Sequence, residues 1–282
     1  MQARDRGAHY EAAAGGVEMK LGCCVSGFDQ VAALEAAGAD YYELPVATAV
    51  MAGGEAGRAT FLAGLRRPGI RPRAYNALFP GTLTLVGPSV DRAAVGRYFL
   101  EALDRVAAAG GRVVVFGSGR SRSVPDGVDR ASALDELERL LRWAAAEAGT
   151  RGVVVALEPL RRAETNVFNT IAECTAFLRG RRLDRVRLVA DTYHMAEEEE
   201  TLEAIDAAAD LLAHAHVAES GRRPPGQGSY DFPAFLRRLR LNGYRGDCSI
   251  ECAWGRFEGE VGSAVACLRR AIAEAGWEEA DA

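Results

Sequence analysis

Short runs of β-branched and apolar residues alternate along the chain with longer segments whose apolar positions recur at helical spacing, and the alternation repeats eight times. The pattern predicts strands at Lys20–Cys24, Tyr41–Leu44, Arg73–Asn76, Arg112–Phe116, Val153–Glu158, Val186–Ala190, Leu211–Val217 and Asp247–Cys252. It predicts helices near Gly27–Ala37, Glu55–Leu65, Ser89–Ala109, Asp129–Ala148, Asn169–Arg179, Thr201–Ala208, Asp231–Leu241 and Glu258–Ala275. Val113–Phe116 and Val153–Leu157 are continuously apolar, as strands covered on both faces of a parallel sheet should be. Asp91, Asp129 and Asp231 stand where a capping carboxylate would accept the first free N–H groups of a helix, and Gly38, Gly110, Gly149 and Gly243 where helices should stop. Eight strand–helix units in succession predict an α/β fold, a (β/α)8 barrel in one domain. An open doubly wound sheet would want a glycine-rich phosphate turn after its first strand, and Cys23-Cys24-Val25-Ser26-Gly27 is no such turn.

Composition agrees with this. The 282 residues are 49% apolar, enough for one large core, and a barrel ordinarily occupies ~250 residues. With 34 basic against 39 acidic residues the formal charge is −5, which argues against a nucleic-acid partner. No run approaches the ~20 apolar residues of a membrane span. Met1–Glu18 reads as a loose tail without the apolar stretch of a secretory signal, with the barrel over residues 19–282. Met19 directly precedes the first strand and is an alternative start. Six cysteines without a CxxC pair read as buried, reduced thiols, and the expected compartment is the cytoplasm.

Barrel chemistry gathers at the C-terminal ends of the strands. Four consecutive strands there carry metal-capable or acid–base side chains: Glu158, Asp191, His216 (in His214-Ala215-His216) and Glu251. One such carboxylate is as readily a helix cap, but four in succession on strands ~4.8 Å apart converge on one mouth. Three carboxylates and an imidazole favour Mn²⁺ or Mg²⁺, with Co²⁺ or Zn²⁺ possible. His214 shares a strand face with His216 and reads as a layer residue or supporting partner, and His9 as a solvated tail residue.

Around this core, His194 follows Asp191 by three residues in a loop over the mouth and can bind a substrate oxygen. Arg222 lies in a Gly/Pro-rich loop suited to a lid, and Glu164 in a long loop after the fifth strand reads as a substrate contact. Asn166 and Asn169 suit a turn as well as a site, Asn169 also an N-cap. Tyr75-Asn76 and Gly117-Ser118-Gly119 border the other side; the latter suits a phosphate cradle or a plain tight turn. The Glu197–Glu200 run reads as the first turn of the sixth helix, and Arg223, Arg237-Arg238 and Arg269-Arg270 as solvated surface.

These residues resemble the xylose isomerase-like TIM barrels, specifically the sugar phosphate isomerase/epimerase group with the D-tagatose and D-psicose 3-epimerases. The likeness rests on Glu158-Pro-Leu-Arg-Arg-Ala-Glu164-Thr-Asn, Asp191-Thr-Tyr-His194, His214-Ala-His216-Val-Ala-Glu219, Arg222-Arg-Pro-Pro-Gly226 and Ile250-Glu251. It implies that Glu158, Asp191, His216 and Glu251 hold one divalent metal ion, that Glu158 and Glu251 exchange protons with substrate, and that Glu164, His194 and Arg222 hold it. The expected activity is ketose 3-epimerisation through a metal-stabilised enediolate, on a sugar or sugar phosphate, in a homodimer or tetramer. Inosose dehydratase and hydroxypyruvate isomerase share the scaffold and stand as alternatives. The N-terminal third, including Tyr75–Gly81, departs from these epimerases and leaves free versus phosphorylated sugar open. From other classes, a DNA-repair hydrolase like endonuclease IV would need three zinc ions and more than the four histidines present, and a non-catalytic sugar-binding barrel would not need both glutamates.

Overall fold

The computed structural model describes residues 19–67 and 69–277; the tail expected over residues 1–18 lies outside them. Eight parallel strands close into a barrel in sequence order: β1 (Leu21–Cys24), β2 (Tyr41–Pro45), β3 (Arg71–Asn76), β4 (Val113–Phe116), β5 (Val154–Leu157), β6 (Arg187–Asp191), β7 (Leu212–Val217) and β8 (Asp247–Ile250), with β8 returning to pair β1. The outer layer consists of α1 (Val31–Ala36), α2 (Gly54–Gly64), α3 (Arg92–Ala108), α4 (Gly119–Arg122), α5 (Arg130–Thr150), α6 (Ile171–Gly180), α7 (Thr192–Glu197), α8 (Glu203–Ala207), α9 (Phe232–Leu241) and α10 (Phe257–Glu274).

All eight expected strands are present within two residues at either end. Asp91, Asp129 and Asp231 cap α3, α5 and α9, each accepting a backbone N–H three residues on. Three of the four expected helix stops hold. Gly149 does not end its helix: α5 runs through it to Thr150, and the chain reverses at Gly152, whose φ of 69° suits glycine. Two further readings change. Thr170, not Asn169, caps α6, because the Thr170 hydroxyl reaches the N–H of Glu173. The Glu197–Glu200 run does not begin a helix but ends α7 and latches neighbouring loops: Glu200 accepts the N–H groups of Ile171 and Ala172 at the start of α6, and Glu198 holds the N–H and guanidinium of Arg162.

The main core lies between barrel and helices, where Leu34, Phe99, Leu137, Leu178, Leu236 and Leu268 are all but completely buried. Inside the barrel the filling is divided. Val115, Ala156 and Val189 form a small apolar cluster on the β4–β6 side, whereas β2, β7 and β8 contribute Tyr41, Glu43, His214, His216 and Ser249, all buried. Room for the Tyr41 ring comes from Gly22 across the β1–β2 pair: a Cβ there would lie 2.3 Å from the ring. The six cysteines are unbridged. Among the described residues no helix is long and apolar enough to cross a membrane.

Candidate functional site

The four strand-end residues singled out in the sequence meet at the mouth. Glu158 follows β5, Asp191 closes β6, His216 stands one residue from the end of β7, and Glu251 follows β8; one ligand atom from each lies within 4.8 Å of the others. Register brings this about. Asp191 is level with His216, and His216 with Ser249, so Glu251, two residues beyond Ser249, shares the same inward parity. His216 is the hub, its Nδ1 lying 2.8 Å from Glu158 Oε1 and 3.3 Å from Glu251 Oε2.

Asp191 divides its oxygens. Oδ1 accepts the N–H groups of Tyr193 and His194 at 2.7 and 3.4 Å and so caps α7. Oδ2 is buried without a hydrogen-bond partner, which costs ~1–3 kcal/mol unless something else satisfies it. Three carboxylates around one imidazole, with one oxygen left unpartnered, fit a hard divalent cation.

Burial is the largest influence on the Glu158 carboxyl and raises it above its ordinary value; His216 opposes the rise and Glu251 reinforces it. Burial acts the same way on Glu251, but Arg222 and His216 outweigh it and hold that carboxyl at about 2. For His216 burial pushes downward, and the carboxylates of Glu43, Glu251 and Glu158 more than reverse it, lifting the imidazole well above its usual range.

Glu43 is the residue that strand-end reasoning misses. It sits within β2 and is fully buried, its Oε1 3.0 Å from His216 Nε2 and its Oε2 2.9 Å from His214 Nε2. A carboxylate sharing the inward parity of Tyr41 in an otherwise apolar strand was the available signal. His214 lies inside the barrel against Glu43, with Ser249 Oγ 3.4 Å from its Nε2.

Arg222 and His194 border the cluster. The Arg222 guanidinium is ion-paired with Glu251, lies 3.2 Å from His194 Nε2, and stacks over the Tyr193 ring at 4.9 Å. His194 Nδ1 accepts the N–H of Arg161. Glu164 is farther out, 2.9 Å from Arg161 Nε and 4.0 Å from Arg222, at the rim. From β3, Asn76 Nδ2 donates to Glu251 Oε1 at 3.1 Å. The Arg222 loop is held by buried Glu219, which accepts the N–H groups of Gly226 and Tyr230.

Two asparagines belong to turns. Asn166 exchanges two hydrogen bonds with the backbone of Val124, and Asn169 donates to the carbonyls of Leu160 and Thr165. Gly117 is required for approach, since a Cβ there would fall 2.5 Å from Glu158 Oε2. Ser118 Oγ accepts the Phe79 N–H and Gly119 packs on the Glu164 carbonyl, so this turn ties loops together. His9 lies outside the described residues.

Comparison with known proteins places the fold in a family. The model of the xylose isomerase-like TIM barrel family matches residues 31–274, and the chain belongs to that family. It is 38% identical over 133 residues to 3-dehydro-D-guloside 4-epimerase of Escherichia coli K12, covering 47% of this chain and 48% of the relative. It is 36% identical over 124 residues to L-ribulose 3-epimerase of Methylomonas sp. DH-1, covering 44% and 42%. The matched segments span about half the length of these relatives. A crystal structure of D-psicose 3-epimerase in the presence of D-fructose superposes with a TM-score of 0.76 at 24% identity, over 90% of this chain and 99% of the other, and shows the shared fold.

Proposed function

Taking membership of the xylose isomerase-like TIM barrel family as premise, we propose that the protein is a divalent-metal-dependent ketose epimerase that inverts the carbon beside a ketose carbonyl, most simply C3. The observation that carries this is the pair of glutamates, Glu158 and Glu251, reaching one buried cluster from β5 and β8 with His216 Nδ1 between them. The names of the curated relatives, epimerases of ketose or keto sugars, support the same reaction class.

Glu158, Asp191 through Oδ2, His216 through Nδ1, and Glu251 would hold the cation, with Mn²⁺ the best match and Mg²⁺, Co²⁺ or Zn²⁺ compatible. A bound cation would polarise the carbonyl and acidify the neighbouring C–H. The remaining work falls to side chains. A carboxylate oxygen of one glutamate takes the C3 proton from one face of the sugar, and the other glutamate returns a proton to the opposite face, which inverts the carbon. Arg222 Nη atoms and His194 Nε2 bind substrate oxygens, and Glu164 meets the outer hydroxyls. The loop bearing Arg222 covers the mouth and excludes water.

Proton NMR tests this. The metal-loaded protein is incubated in D2O with a panel of free and phosphorylated ketoses, the metal is removed, and the C3 proton signal is followed. Loss of that signal with appearance of the epimer is expected, and the responding member of the panel names the substrate. Exchange at C1 would make the enzyme an aldose–ketose isomerase instead, and no exchange across the panel would sink the proposal.

A further inference from the structure

At the end of the barrel opposite the mouth, a cavity of about 280 Å³ opens between the first residues of the strands. Four arginines line it: Arg73, Arg112, Arg187 and Arg245. Two carboxylates share the wall, and both are engaged. Asp247 pairs with Arg73 at 2.7 Å, and Asp210 pairs at 2.7 Å with Arg179, outside the lining. Among the described residues no carboxylate pairs with Arg112, Arg187 or Arg245. Arg187 Nη1 bonds the carbonyls of Asp184 and Val186, and Arg245 Nη1 the carbonyl of Tyr244, so most of the five N–H donors on each guanidinium remain available. The inner wall includes His214, completely buried, whose Nδ1 has no hydrogen-bond partner.

In a chain of formal charge −5 this is a local excess of positive charge around a concavity, beside an unsatisfied buried imidazole nitrogen. We propose that this cavity is an anion-binding site for a phosphate group, distinct from the sugar site at the mouth. Forked guanidinium groups match the oxygens of a phosphate better than a spherical anion. The volume is several times the ~30 Å³ share of one water in the liquid, leaving room for a phosphate with its waters or for a small phosphate monoester. His214 Nε2 faces the Glu43 carboxylate, so Nδ1 is the ring nitrogen left without a protein partner on the cavity side. A bound oxyanion, or a water held by it, supplies that partner.

Isothermal titration calorimetry of the full chain at fixed ionic strength tests the site, with inorganic phosphate in one arm, glycerol phosphate in a second and chloride as background. Saturable binding at one site per chain is expected, weakened at least about tenfold in Arg112→Glu/Arg245→Glu and unchanged in Arg222→Gln, which removes the guanidinium at the mouth. Tighter binding of the monoester would identify a phosphorylated metabolite as ligand, and tighter binding of inorganic phosphate the free ion. Both substituted side chains are exposed; circular dichroism checks the fold, and Arg112→Gln/Arg245→Gln serves if the charge reversal disturbs it. Absence of saturable heat in the parent protein, equal affinity in the Arg112/Arg245 variants, or loss of binding in Arg222→Gln, which would place the anion at the mouth, overturns the proposal.

Discussion

His216 Nε2 lies 3.0 Å from Glu43 Oε1, on the side of the ring away from the strand-end carboxylates. That bond fixes the ring orientation and leaves Nδ1 turned toward Glu158 and Glu251. Carboxylates that orient a metal-ligating histidine in this way are typically worth a factor of ~10–100 in metal affinity. Glu43→Gln keeps the side-chain volume but offers one acceptor oxygen to two imidazole N–H donors, those of His214 and His216. A fall in Mn²⁺ affinity of about that size is expected, with the circular dichroism spectrum unchanged. Calorimetric titration with Mn²⁺ reads it, and a variant that binds as tightly as its parent would show that Glu43 only fills space.

The barrel was legible because its signal is repeated: eight apolar runs at regular spacing leave few other ways to bury a sheet. The mouth cluster was legible for the same reason, since Glu158, Asp191, His216 and Glu251 each stand at a strand end. Glu43 was not, because it lies inside β2 with Leu44 beyond it, and only the closed barrel shows that its inward parity meets β7. The Glu197–Glu200 run misled because charge at a helix start and charge bonding a neighbouring loop look alike in sequence. Asn169 suited a cap as well as a turn or a site, an ambiguity resolved by which side chain reaches the N–H of Glu173.

If Glu158 and Glu251 are the two proton-transferring groups, the amide isosteres should separate folding from chemistry. Glu158→Gln and Glu251→Gln are each expected to stay folded and to lose proton exchange by at least ~10²–10⁴-fold, the usual contribution of a positioned acid or base. Solvent deuterium incorporation at C3 under single-turnover conditions reads the loss. Retained exchange in either variant would remove the two-base mechanism.

Metal loading should also appear as stability. A cation that binds only the folded chain stabilises it by ~2.7 kcal/mol at a hundredfold excess over Kd. For a chain of this size that corresponds to a rise in Tm of roughly 4–5 °C. One equivalent of divalent metal per chain is expected by elemental analysis, and chelation should lower Tm by that amount in the parent but much less in Asp191→Asn. Three equivalents per chain, or no shift on chelation, would contradict a single site built on the Asp191 oxygen.

Arg122 is the cation on which the back of the mouth rests. Its side chain is completely buried, with Nη1 donating to the Phe116 carbonyl at 2.9 Å and Nη2 to the carbonyls of Glu158 at 2.8 Å and Phe168 at 3.3 Å. It also lies against the Phe168 ring. Burial pulls the guanidinium down to about 10, so it stays charged at neutral pH and is held by carbonyl dipoles, with Glu158 and Glu173 among the charges that favour it. Arg122→Met keeps much of the apolar stem but strands three carbonyls, two of them beside the Glu158 peptide and its loop. A loss of ~3–5 kcal/mol is expected from removing one side of such a buried charged network. Arg122→Lys should recover little, because an ammonium cannot bridge carbonyls at the ends of β4 and β5 and in the following loop at once. Urea unfolding of both variants reads the effect: a midpoint within error of the parent in Arg122→Met would show that water replaces the guanidinium without cost, and a full recovery in Arg122→Lys would show that charge alone, not the fork, holds Glu158 in place.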